Sequence, residues 1–145
     1  MGRFSSEGEL KNRRLGSATK SSGANTPHVD DSGAVAQFGR VTLQGKKLGI
    51  LLSVGPATPG FRHGLRLAET ALDAGVEVYL YCLDDAVEGL TNAGLQALRG
   101  RGARLFACAY GAQRRGIPVN DAAVFSGLTV VSDLLATTDR LVSFN

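Results

Sequence analysis

Cys108 is the residue whose type and position best suit nucleophilic chemistry in this sequence. It lies in the stretch LFACAYGAQRRGI, where an apolar run gives way to a turn of small residues that includes Gly111. Arg114 and Arg115 follow a few positions later. Nearby cations and the free N–H groups at the start of a helix both favour a thiolate over a thiol. These are the surroundings that a nucleophilic cysteine needs.

A packed, unreactive thiol explains the same position almost as well. Free cysteine is among the most buried residue types, and Cys108 ends an apolar run that predicts a strand. Spacing alone therefore leaves the two interpretations of Cys108 balanced. Cys82 is different, because it lies within the run VYLYCL, and we interpret it as a core residue.

The sequence gives little support to metal or nucleotide chemistry. It contains two cysteines and two histidines and no CxxC pair, so the common zinc-ligand spacings are missing. It has neither a GxGxxG motif nor a P-loop motif. We therefore predict no metal and no cofactor.

Apolar runs alternate with helical patterns after the first third of the chain. Strands are predicted at Leu48–Leu52, Val76–Leu83, Ala103–Ala109 and Arg140–Phe144, and helices from Phe61, over Leu90–Arg99 and over Leu128–Thr137. This alternation predicts a single three-layer α/β domain, with a mostly parallel sheet and helices on both faces. A 2-1-3 strand order would place the first strand between those of Cys82 and Cys108, so no disulfide is expected.

Sites in such sheets form beyond the carboxyl ends of the strands, where the strand order reverses. This rule selects three loops, which are residues 55–60, 84–88 and 108–116. We expect Gly55 and Pro56 to shape a pocket wall. Asp84 and Asp85 fit either an acid–base pair or, more simply, a helix cap beside a solvated carboxylate.

The basic balance of the chain comes from its first third. Residues 1–46 are rich in Ser, Gly, Lys and Arg, and their seven basic and four acidic side chains account for the formal charge of +3. We predict a disordered basic tail over 1–46 and a neutral domain over 47–145 that does not bind nucleic acid directly. No apolar run is long enough to span a membrane, and the expected location is the cytoplasm.

Four motifs, GILLSVGPATPG, VYLYCLDDAV, LFACAYGAQRRGI and FSGLTVVSDLLATTDRLVSF, lie in this order between Lys47 and Phe144. Together they resemble the DsrE/DsrF-like sulfur-relay family, and most closely its TusD/DsrE branch. The cysteine followed six residues later by RRG and the closing motif are the most specific parts of the resemblance.

This resemblance implies a sheet of about five strands. It also implies a small sulfurtransferase subunit that carries sulfane sulfur as a persulfide on Cys108. It implies that Arg114 and Arg115 support the sulfur anion, that the partners are sulfur-donor and sulfur-acceptor proteins, and that the chain forms homo- or hetero-oligomers. Two other functions stay open at this point. One is a non-catalytic assembly partner of the same fold, and the other is a flavodoxin-like binder of a small molecule.

Overall fold

The computed structural model describes residues 42–145 of the chain. The predicted disordered tail lies outside the described residues, apart from residues 42–46, and the boundary between tail and domain stays a prediction. Residues 42–46 are tied to the domain: the Gly45 N–H donates to the carbonyl of Gly75 at 2.9 Å, and the Lys46 ammonium pairs with Asp139 at 3.2 Å.

The described residues fold as an α/β domain around one parallel sheet. Its strands are β1 (Lys47–Leu52), β2 (Glu77–Cys82), β3 (Arg104–Cys108), β4 (Val124–Ser126) and β5 (Arg140–Phe144), and its helices are α1 (Pro59–Asp73), α2 (Ala93–Gly100), α3 (Ala109–Arg114) and α4 (Thr129–Thr137). A short 3₁₀ helix spans Asp84–Gly89 between β2 and α2. The sheet order is β4-β3-β2-β1-β5, and all four pairings are parallel, which confirms the predicted fold class.

The ends of α1 follow from local sequence chemistry. The Thr58 hydroxyl accepts a hydrogen bond from the Phe61 N–H at 3.2 Å, and Pro59 occupies the first turn, where its missing N–H costs nothing. The helix ends at Asp73 with Ala74 as its C-cap, and Gly75 follows with a φ of +76°, which L side chains rarely adopt. The predicted start at Phe61 was two residues late, because the prediction followed the apolar stripe and not the cap.

The strand order is not the 2-1-3 arrangement on which the argument against a disulfide rested. Strand β2 lies between β1 and β3, so Cys82 and Cys108 stand on neighbouring strands. Cys82 is in register with Ala107 and not with Cys108, and successive residues of a strand point to opposite faces of the sheet. The two thiols are therefore separated by the sheet itself, and both cysteines are free.

The helices cover both faces of the sheet. On one face, Gly64 of α1 brings that helix close to the side chains of Leu52 and Phe144. On the other face, Thr138 at the end of α4 lies against Gly49. The chain steps across the sheet in one direction from β1 to β4 and then returns past β1 to β5. Because crossovers between parallel strands are right-handed, the reversal of direction places α4 on the face opposite to α1. None of the helices within residues 42–145 combines the length and the apolar character that a membrane span needs.

The close approach of α1 to the sheet predicts a steric penalty at Gly64. A Cβ there would overlap the Leu52 side chain and lie 3.3 Å from the Phe144 ring, whereas a Cβ on Gly100 would meet no heavy atom within 4 Å. We expect Gly64→Ala to lower the free energy of unfolding by about 1–3 kcal/mol. Gly100→Ala should raise it by about 0.4–1 kcal/mol. Urea unfolding measures both, and equal stability of the two variants would contradict this packing.

Candidate functional site

Cys108 ends β3 and is at the same time the N-cap residue of α3. Its Sγ accepts a hydrogen bond from the Gly111 N–H at 3.4 Å. Only 6% of Cys108 is exposed. A Cβ on Gly111 would make ordinary contacts, at 3.6 Å from the Asp84 nitrogen and 3.7 Å from Sγ. The contribution of Gly111 is therefore its N–H group, which is aimed at the sulfur.

A cavity of about 550 Å³ opens beside the Cys108 sulfur at the carboxyl edge of the sheet. Its charged walls are Asp84, Arg114 and Arg115, and Leu83, Tyr110, Gly111 and Leu128 complete the lining. Tyr110 and Leu128 are 67% and 61% exposed. The cavity thus joins a nearly buried sulfur to an apolar rim that faces solvent.

The two arginines have different electrostatic surroundings. The Arg115 guanidinium lies 2.5 Å from Asp85 and 3.6 Å from Glu88. The hydrogen bond that it donates to the Asp85 carboxylate raises the pKa of Arg115. Arg114 forms no salt bridge with any residue of 42–145, and its guanidinium lies 5.9 Å from the centre of the Tyr110 ring. Arg114 is therefore the cation whose charge is left for an anion in the cavity.

The structure separates Asp84 from Asp85. Asp84 lines the cavity, with a φ of +46° that is uncommon outside glycine but tolerated by Asp and Asn. Asp85 turns away to Arg115 and is not part of the lining. The two carboxylates do not meet at the sulfur as an acid–base pair would.

The predicted pocket wall at Gly55 and Pro56 lies behind the 3₁₀ helix. A Cβ on Gly55 would stand 3.6 Å from the Asp85 Cβ, and Pro56 lies 3.3 Å from where a Cβ of Gly89 would stand. Neither residue lines the cavity. This loop therefore supports the segment that carries Asp84 and Asp85.

Contrary to our expectation, the cavity does not lie where the strand order reverses. The order reverses between β1 and β5, and the cavity lies at the end of β3.

Two polar residues on the strands beside β3, Tyr81 and Ser126, were not predicted from the sequence. The Tyr81 hydroxyl donates to the carbonyls of Gly127 and Ser126, at 3.2 and 3.4 Å, and burial together with the adjacent Cys108 raises the pKa of Tyr81 to about 12. The Ser126 Oγ is buried and has no hydrogen-bond partner in the part of the chain that the structure describes. Such an unsatisfied hydroxyl costs about 1–3 kcal/mol, which calls for an explanation.

Cys82 lies on the opposite face of the sheet and is fully buried. Burial raises the pKa of Cys82 to about 12, so its reactive thiolate is scarce at neutral pH. This confirms that Cys82 belongs to the core. Within residues 42–145, no three His, Cys, Asp or Glu side chains are grouped so as to hold a metal ion.

Comparison with known proteins agrees with this architecture. The chain matches the model of the DsrE/DsrF-like family over residues 46–144. Among solved structures it is similar to the ychN protein from E. coli, with a TM-score of 0.59 at 16% identity, over 70% of this chain and 100% of that one. At this identity the likeness supports the fold alone. No curated protein sequence matches the chain.

The different environments of the two thiols predict selective alkylation. In the folded protein at neutral pH, iodoacetamide should modify Cys108, which lines the cavity, well before Cys82, whose pKa is about 12. Mass spectrometry should show one adduct, which is kept in Cys82→Ser and lost in Cys108→Ser. Equal labelling of both cysteines before unfolding would contradict the assignment.

Proposed function

Because the chain belongs to the DsrE/DsrF-like family, whose general theme is sulfur relay, we propose that it carries sulfane sulfur as a persulfide on Cys108 and passes it to a partner thiol. The observation that carries the proposal is the placement of the Cys108 Sγ, which faces an open cavity while the Gly111 N–H donates to it. In this proposal the chain is a sulfurtransferase subunit.

The proposed reaction needs two displacement steps at sulfur. The Cys108 thiolate attacks the outer sulfur of a donor persulfide, RS–SH. The S–S bond of the donor breaks as a new one forms on Cys108, and the electron pair leaves with RS⁻. An acceptor thiolate then attacks the outer sulfur of the Cys108 persulfide and releases the Cys108 thiolate. The sulfane sulfur keeps its oxidation state, so no external oxidant or reductant is consumed.

Each step passes through an anionic sulfur, and the site offers groups that favour one. The Gly111 N–H hydrogen bond stabilises negative charge on Sγ, and Arg114 adds a positive charge at the cavity wall. A persulfide also carries its reactive atom about 2 Å beyond Sγ. That extension helps a thiol that is only 6% exposed to reach an acceptor in the cavity.

The partners belong to the same proposal. Sulfur must come from a donor protein and leave to an acceptor protein, and the exposed Tyr110 and Leu128 give a docking protein apolar contacts at the cavity rim. Homo- or hetero-oligomers are proposed as well, since β4 and β5 leave both edges of the sheet unpaired within the described chain. The TusD/DsrE branch and the cytoplasmic location stay predictions.

A non-catalytic assembly partner is the second candidate function. The low exposure of Cys108 favours it, because a merely packed thiol is buried in the same way. In that case the cavity would be a subunit contact, and Cys108 would react no faster than an ordinary thiol.

The first test is sulfur loading. Incubation with a sulfane-sulfur donor should raise the mass of the protein by about one sulfur atom, because only Cys108 among the two thiols lies on a cavity. Cys108→Ser should lose this adduct, and Cys82→Ser is the matched control that should keep it. Loading of Cys108→Ser at the wild-type level would exclude the persulfide mechanism, and no loading of any variant would favour the assembly partner.

The second test separates the two arginines. Arg114→Gln should slow sulfur loading about two- to fivefold, the effect of losing one exposed charge interaction, and should leave the melting temperature unchanged. Arg115→Gln should lower the melting temperature, because it breaks the contacts with Asp85 and Glu88. Parallel melting curves and loading rates of the two variants measure this difference. A larger rate loss in Arg115→Gln would reverse the assigned roles.

A further inference from the structure

Three polar side chains from three neighbouring strands lie on the same face of the sheet, and one of them, Cys108, lines the cavity. Tyr81 of β2 is in register with Phe106 of β3, and Cys108 of β3 is in register with Ser126 of β4. Register partners in a parallel sheet share a face, and so do residues two apart on one strand. Tyr81, Cys108 and Ser126 therefore all project from the face that α4 covers.

Neither the Tyr81 nor the Ser126 hydroxyl has a firm hydrogen-bond acceptor among the described residues. The single proton of Tyr81 is shared between two carbonyls at 3.2 and 3.4 Å, both long for an O–H donor. The Ser126 Oγ is buried and forms no hydrogen bond within residues 42–145. Burial raises the pKa of the Tyr81 phenol, and the neighbouring Cys108 raises it further. Both protons are thus available to a new acceptor at the position of the sulfur.

We propose that the hydroxyls of Tyr81 and Ser126 donate hydrogen bonds to the Cys108 sulfur when it is an anion, as thiolate or as persulfide. This inference rests on the proposed function, because both anions form during the proposed sulfur transfer. With the Gly111 N–H, the sulfur then has three donors, from β2, β4 and α3.

The chemistry of the donors suits an anion better than a neutral thiol. A hydrogen bond to an ionised acceptor is about twice as strong as one between neutral groups, so both protons are drawn to the sulfur when it loses its own. Tyr81, with a pKa of about 12, keeps its proton throughout the neutral range. The donors are also held by the sheet before the charge forms, which removes the cost of reorienting solvent.

This arrangement explains the unsatisfied Ser126 hydroxyl. A buried donor without a partner destabilises the resting protein, and it becomes useful only when an acceptor forms beside it. We therefore assign Tyr81 and Ser126 as residues that bind the reacting sulfur. Neither one exchanges a covalent bond.

The experiment is the pH profile of Cys108 alkylation in a Cys82→Ser background. Removing a donor raises the pH at which the reactive thiolate forms, and for Tyr81→Phe we expect the midpoint to rise by about one pH unit, a tenfold loss of thiolate. Ser126→Ala should shift it in the same direction. Tyr79→Phe is the matched control, because its hydroxyl contacts Glu77 at the other end of β2. The other titratable groups at the cavity, Asp84, Tyr110, Arg114 and Arg115, are unchanged in all variants.

The outcomes distinguish the inference from the proposed function. Unchanged midpoints in both Tyr81→Phe and Ser126→Ala, or an equal shift in Tyr79→Phe, would overturn the inference. Shifted midpoints in a protein whose Cys108 accepts no sulfur would support the inference and overturn the proposed function. Ser126→Ala guards against a folding defect, since removing an unpartnered buried hydroxyl does not lower stability.

Discussion

The site depends on a single residue that must end a strand and begin a helix at once. Cys108 pairs with Ser126 as the last residue of β3, and its side chain caps the first turn of α3. A strand residue has its side chain fixed perpendicular to the sheet, and a cap residue has its side chain turned toward free N–H groups. Both conditions are met only if the sulfur lies at the carboxyl edge of the sheet, which is where the cavity opens.

The two adjacent arginines have different roles because their charged neighbours differ. Arg114 and Arg115 are adjacent, yet helical geometry directs one along Tyr110 and the other to Asp85 and Glu88. The ion pairs of Arg115 join α3 to the 3₁₀ helix that carries Asp84. This link connects two walls of the cavity. The charge of Arg115 therefore stabilises the shape of the site, and the charge of Arg114 makes the electrostatic potential in the cavity more positive.

The fold class and the position of Cys108 at the end of a strand could be predicted from the sequence. Buried parallel strands are continuous apolar runs, which can be recognised without knowing which strands they pair with. Strand order could not be predicted in this way. The 2-1-3 order assumed in the sequence argument does not hold. Tyr81 and Ser126 therefore could not be predicted as neighbours of Cys108, because they share its face of the sheet only through the β2–β3 and β3–β4 pairings. Strand β4 itself is three residues long, too short for an alternating pattern to appear.

The sheet between the two thiols sets the stoichiometry of the proposed relay. Cys82 is fully buried on the face opposite to Cys108, so it cannot act as a resolving thiol for a persulfide formed there. A loaded chain would therefore hold a single sulfur and would have no internal disulfide through which to discharge it. Release then requires a second molecule, which makes the lifetime of the loaded form a measure of how often an acceptor arrives.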